Sequence, residues 1–123
     1  MNILIDTHIF LWLLFNTKKV KKQHLELLRK DGIDLFLSSI SLAEIMIKKT
    51  NGKLNVEFDL EFVKEKLQLK ILNFDEKSAL YLDKLPKHHK DPFDRMIIAQ
   101  AITNKLKILT YDEKFKLYEC ELI

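Results

Sequence analysis

Cysteine, glycine and proline are almost missing from this chain of 123 residues, which holds one, two and two of them. With Cys120 alone, no intrachain disulfide and no four-cysteine zinc site can form, and a lone thiol between Glu119 and Glu121 suits a reducing compartment. So little glycine and proline excludes collagen-like, low-complexity and long linker segments. Long apolar runs are missing too. The most apolar early stretch, Ile9 to Phe15, falls far short of the roughly 20 residues a membrane span needs. It follows Asp6 and His8, with no basic leader and no small-residue cleavage site, so it does not read as a signal peptide. The expected location is the cytoplasm, with no membrane partner.

What is present suits one globular domain, expected to span residues 1–123. Hydrophobic residues make up 47%, enough to fill a core. The formal net charge is only +3, but the lysines gather. Lys18, Lys19, Lys21 and Lys22 form one group, Lys48, Lys49 and Lys53 another, and Lys84, Lys87, His88, His89 and Lys90 a third. Runs of this kind serve as solvated faces by default, and they permit a nucleic-acid partner without requiring one.

Asn2 to Ile5 reads as a short buried strand, ended by Asp6 and Thr7, after which Ile9, Phe10, Leu13 and Leu14 show helical spacing. A second helix is expected over Val20 to Lys30, closing near Gly32, and a second strand over Asp34 to Ser38. Ser41 should open a helix running from Leu42 to Thr50. Further helices are expected over Leu60 to Leu67, Glu76 to Leu85 and Phe93 to Asn104. Strands are expected over Leu69 to Phe74 and Lys107 to Thr110, with a fifth over Leu117 to Leu122. This alternation predicts an α/β fold around a mainly parallel sheet.

Ligand sites in such sheets lie beyond the carboxyl ends of the strands. Asp6 follows the first strand directly, Glu44 lies in the first turn of the helix after the second, and Asp112 follows Thr110 by two residues. Asp94 falls in the first turn of the helix that leads into the fourth strand, and a crossover helix begins at that same edge. All four carboxylates should therefore meet at one rim. Each also has a purely structural explanation. Ser41 to Glu44 forms a capping box, and Asp91-Pro92-Phe93-Asp94 reads as cap, first-position proline and dipole-favoured acid. Asp75 is a control: it too starts a helix, but after an outer strand, so it is read as a cap only. Four clustered carboxylates repel one another, and a hard divalent cation such as Mg²⁺ or Mn²⁺ relieves that repulsion while suiting phosphodiester chemistry.

Leu4-Ile5-Asp6-Thr7-His8, Ser41-Leu42-Ala43-Glu44-Ile45, His89-Lys90-Asp91-Pro92-Phe93-Asp94-Arg95 and Leu109-Thr110-Tyr111-Asp112 occur in the order and spacing of PIN-domain proteins. The chain resembles that family over nearly its whole length. It is most similar to the VapC-like ribonuclease toxins, whose Leu-Pro…His…Asp-Pro-Phe-Asp-Arg stretch matches Leu85 to Arg95. The resemblance implies a three-layer α/β/α domain with a central sheet of four to five strands that binds Mg²⁺ or Mn²⁺ and cleaves RNA, in some relatives transfer RNA. It places the family's acids on Asp6, Glu44, Asp94 and Asp112. Asp6 and Asp94 would be the principal metal ligands, and Glu44 and Asp112 would complete the set directly or through water. Thr7 and Thr110 would support them, and Asp91 is left as a helix cap. A homodimer and a small cognate antitoxin, laid across the acidic rim, are the implied protein partners.

Substrate contacts are less legible. His89, Lys90 and Arg95 adjoin the third acid and are candidates for phosphate binding, the alternative being that Arg95 pairs with Asp91 and the histidines are solvated. Phe10, Trp12 and Phe15 are candidate stacking platforms, though helical spacing favours core or dimer packing for them. Other α/β enzymes that use a first-strand aspartate need a second acid beside it, where this chain has His8 or nothing. A PIN-like module that binds RNA or protein without cutting is the alternative function.

Overall fold

A computed structural model describes residues 1–123. Four strands form one sheet: β1 (Asn2–Ile5), β2 (Asp34–Ser38), β3 (Leu69–Leu72) and β4 (Lys107–Leu109), in the order β3-β2-β1-β4. Every pairing is parallel. The helices are α1 (Thr7–Phe15), α2 (Lys22–Leu28), α3 (Ser39–Thr50), α4 (Leu60–Leu67), α5 (Glu76–Tyr81) and α6 (Pro92–Asn104). Short 3₁₀ turns cover Thr17–Lys19 and Glu113–Leu117.

Strand alternation sorts the aliphatic residues into two cores. Ile3, Ile5, Leu35, Leu37 and Leu109 point to one face, where Ile9 and Phe10 of α1, Ile45 of α3 and Val63 of α4 cover them. Leu4 and Ile108 point to the other, beneath Ile97, Ile98 and Ala101 of α6 together with Phe115 and Tyr118. This is the expected three-layer α/β/α arrangement. Between the layers, the buried Ser38 caps α3 through Ile40 N–H and donates to Gln100 Oε1, while Gln100 Nε2 donates to the Leu72 carbonyl at 3.2 Å. One polar pin thus ties α6 to β2 and β3.

Several boundaries differ from expectation. The segment 117–122 adds no fifth strand: only an isolated bridge joins Leu122 to Ile108. Charged Glu119 and Glu121 flank Cys120 there, and the chain closes the β4 edge with that single contact. Ser41 is not a cap, because α3 begins three residues earlier under Ser38. The helices expected over Val20 to Lys30 and Glu76 to Leu85 are confined to Lys22–Leu28 and Glu76–Tyr81, and β3 ends at Leu72. No helix is long and apolar enough to cross a membrane.

Candidate functional site

Register decides where the acids go. Ile5 pairs with both Leu37 and Leu109, so Asp6 and Thr110 leave the sheet at one level, beside Ser38 at the end of β2. Asp6 then turns the chain into α1 as its N-cap. Its Oδ1 accepts from Ile9 N–H at 2.8 Å, and its Oδ2 accepts from the Thr110 hydroxyl at 2.5 Å. Thr110 Oγ1 accepts in turn from Asp112 N–H at 3.1 Å, and Asp112 caps the 3₁₀ turn through Lys114 N–H. The first and fourth acids are therefore joined through one threonine. Burial pushes the Asp6 carboxyl above the usual range, opposed by its bonds to Thr110 and Ile9, with repulsion from Asp112 adding to the rise.

Glu44 reaches the same rim from α3, in the second turn rather than the first. Its Oε1 lies 2.8 Å from Thr7 Oγ1, and Ser41 Oγ lies 2.9 Å from that same hydroxyl. The Thr7 hydroxyl donates its one proton between the two, with the Glu44 carboxylate and the Ser41 hydroxyl as acceptors. Glu44 Oε2 accepts from Lys48 Nζ at 2.6 Å. Glu44 is only 4% exposed, and both its oxygens are engaged. Ser41 and Lys48 were not anticipated, although the Glu44–Lys48 spacing of four on a helix was a visible signal for the pair.

Asp94 sits in the first turn of α6, just inside Asp91, which caps the helix through Phe93 and Asp94 N–H groups. Its carboxyl is pushed up to about 7, first by burial and then by Asp91, Asp112, Glu44 and Asp6. The other three anticipated acids are thus within electrostatic reach of Asp94, and Asp91 adds its charge while capping. Asp75, the control, caps α5 through Ser78 N–H and takes no part.

Beside Asp94 the loop before α6 is locked by Tyr118, which sequence reading missed. The Tyr118 oxygen accepts from His89 N–H at 3.2 Å and from Arg95 Nη1 at 3.3 Å, so its own proton goes to His89 Nδ1, 2.6 Å away. The other ring nitrogen, Nε2, then carries hydrogen and faces Asp94 Oδ2 at 3.4 Å. Burial holds the His89 imidazole below its ordinary value, against the pull of Asp91 and Asp112. His89 is not the solvated loop residue considered above. Arg95 does not pair with Asp91 either: its guanidinium donates to the carbonyls of Pro86 and Leu85 at 2.7 and 3.2 Å. Lys87, His88, His89, Lys90 and Arg95 line a cavity of about 450 Å³. Of the three aromatic candidates, Phe10 is wholly buried, Phe15 is half exposed and Trp12 is partly buried.

The model of the PIN domain matches residues 3–119. The chain belongs to the PIN-domain family. Solved structures sharing this PIN fold include a chain of VapBC2 from Rickettsia felis bound to a DNA fragment from their promoter. It is 23% identical, with 100% of this chain and 98% of that one covered at a TM-score of 0.73. A chain of DNA-bound VapBC from Salmonella typhimurium is 19% identical, covering 100% and 97% at a TM-score of 0.69. One from a toxin–antitoxin complex of Klebsiella pneumoniae is also 19% identical, covering 98% and 95% at 0.65. No curated protein matches the chain by sequence.

No three His, Cys, Asp or Glu side chains of this PIN domain are close enough to seat one ion unaided. The donor set still suits Mg²⁺ or Mn²⁺. It consists of carboxylate oxygens that strain against one another, and Mg²⁺ keeps several waters while touching only one or two carboxylates.

Proposed function

We propose that this PIN domain, spanning residues 1–123, is a divalent-metal-dependent endoribonuclease and the toxin of a toxin–antitoxin pair. The observation that carries the reading is the Asp94 carboxyl, pushed up to about 7 by burial and by four neighbouring carboxylates. Acids gathered at one rim with a carboxyl this far perturbed among them are characteristic of functional sites.

In this reading Asp6 and Asp94 hold Mg²⁺ or Mn²⁺, with Glu44 and Asp112 completing the set directly or through water. The ion, when bound, stabilises charge on the phosphodiester oxygens and makes water a better nucleophile. Thr110 fixes the Asp6 carboxylate, and Thr7 fixes that of Glu44. Tyr118 holds His89 so that its Nε2 hydrogen faces Asp94. Lys90, His89 and Arg95 border the cavity next to Asp94, and the charge there suits a substrate phosphate.

Likeness of fold to components of VapBC complexes supports a small antitoxin as partner, and absence of a membrane-length helix accords with a cytoplasmic site of action. Exposed Phe15 on α1 and exposed Met46 and Ile47 on α3 support a homodimer, which light scattering tests.

The test of the central claim is RNA cleavage by purified protein with Mg²⁺ or Mn²⁺, beside Asp6→Asn, Asp94→Asn and an EDTA control. Loss of cleavage in all three is expected. Because no three ligands converge on one point, a PIN-like module that binds RNA without cutting is the second reading. Salt-sensitive RNA binding with no turnover on metal addition would establish it.

A further inference from the structure

A row of aromatic rings leads away from the acids on the α1 side. His8 and Trp12, one turn apart on α1, have centroids 5.9 Å apart, and Trp12 and Tyr111 are also 5.9 Å apart, tilted by 33°. His24 continues the row, 5.5 Å from Tyr111 at 31°. Tyr111 is held rigidly: its oxygen accepts from Lys21 N–H at 3.0 Å and lies 2.7 Å from His24 Nδ1. Two lysines stand over these faces, Lys19 Nζ at 5.7 Å from the Trp12 centroid and Lys21 Nζ at 5.3 Å from that of Tyr111. Both are exposed, and neither makes an ion pair.

The row begins and ends its contact with the acids through the chain itself. His8 follows Thr7, which holds Glu44, and Tyr111 lies between Thr110, which holds Asp6, and Asp112. We infer that the Trp12–Tyr111 surface, with Lys19 and Lys21, is a stacking platform for the unpaired bases of a single-stranded RNA segment flanking the scissile phosphate. The inference rests on the nuclease reading for its choice of ligand. Charge complementarity favours it: unpaired ammonium groups above ring faces are free to move onto phosphates, which opens the faces to bases. An acidic peptide would satisfy the lysines but leave two partly exposed rings without a planar partner.

Trp12 is the only tryptophan, so it reports on its own site. The full-length protein, in EDTA so that nothing is cut, is titrated with a short, unstructured, fluorescein-labelled oligoribonucleotide while tryptophan emission and label anisotropy are followed. Quenching on binding is expected, with Trp12→Leu weakening affinity roughly tenfold or more and Trp12→Phe restoring most of it. Lys19→Gln with Lys21→Gln, an exposed pair whose loss spares the core, should flatten the salt dependence by roughly 0.7 per lysine in log–log slope. Unquenched emission, or unchanged affinity in both the Trp12→Leu and the double-lysine variants, overturns the platform. So does Trp12→Leu protein that binds RNA normally but loses its dimeric mass, since the surface is then a protein interface. The two claims fail separately. Cleavage lost in Asp6→Asn beside normal binding by the platform variants leaves the nuclease standing without the platform. Quenching and weakened variants in a protein that cuts nothing leave the platform standing without the nuclease.

Discussion

Replacing Asp94 by Asn should make the metal-free protein more stable while removing its activity. The folded carboxyl keeps its proton up to about 7, whereas an unfolded aspartate loses it near its ordinary value of 3.8. Between those values the native state binds the extra proton, so stability falls as pH rises through that window and is fully present only below it. Three units correspond to a ceiling of about 4 kcal/mol. The Asp94 side chain is 19% exposed, and salt screens its solvent-facing neighbours, so about 2 kcal/mol is the working expectation. Asparagine has the same shape, can still meet His89 and carries no charge at any pH. Urea unfolding in EDTA should therefore show a midpoint about 1–2 M higher for Asp94→Asn than for the parent at pH 8, with little difference at pH 4. Mg²⁺ should raise the parent's midpoint at pH 8 and leave the variant's nearly unchanged. At a hundredfold excess over its Kd, binding adds about 2.7 kcal/mol. A variant no more stable than the parent at pH 8, or equally stabilised at pH 4 and 8, would refute the claim that burying this carboxyl among its acidic neighbours strains the fold.

Thr110→Val removes the hydroxyl donor to Asp6 while keeping the shape, and should lower the cleavage rate about 10–100-fold with little change in substrate affinity, as steady-state kinetics would show. Lys48→Met leaves Glu44, nearly fully buried, without its cation. Since Lys48 is 40% exposed, the cost should be about 1–2 kcal/mol in the apo protein by urea unfolding, with tighter Mg²⁺ binding by calorimetry. Phe10→Ala should cost about 3–5 kcal/mol and act on stability alone, because the ring is wholly inside the α1-side core.

The sheet was legible because four-residue aliphatic runs, each followed by a polar stop, admit few other readings. Parallel order with the first strand inside then put Asp6, Asp94 and Asp112 at one rim without any knowledge of contacts. What stayed hidden was decided by tertiary partners. Ser38, Ser39 and Ser41 each look like caps in isolation. The buried bond from Ser38 to Gln100, 62 residues away, selects the first of them, and that moves Glu44 into the second turn. Arg95 had an obvious local acid in Asp91, but the carbonyls of Leu85 and Pro86 and the phenol of Tyr118 hold it instead. Nothing in a linear pattern announces a tyrosine 23 residues downstream as the anchor of a loop. The expected fifth strand failed for the opposite reason: 117–122 has strand-like alternation, but only one bridge forms to make use of it.

Capping and ligation are two uses of one property here. Asp6, Asp91 and Asp112 each begin a helical segment and accept its free N–H groups, so each carboxylate faces a partial positive charge. That charge is what lets the acids approach one another before any cation arrives. Asp94 lies inside its helix start rather than at it and accepts no backbone N–H, so no such bond offsets the burial and the neighbouring charges that push its carboxyl up. An acid raised by burial and by its neighbours in this way is one that a divalent ion would relieve. The structural explanation of each aspartate and the functional explanation of the set thus support each other. Asp94→Asn separates them in an experiment: it leaves the helix start to its Asp91 cap and removes the charge.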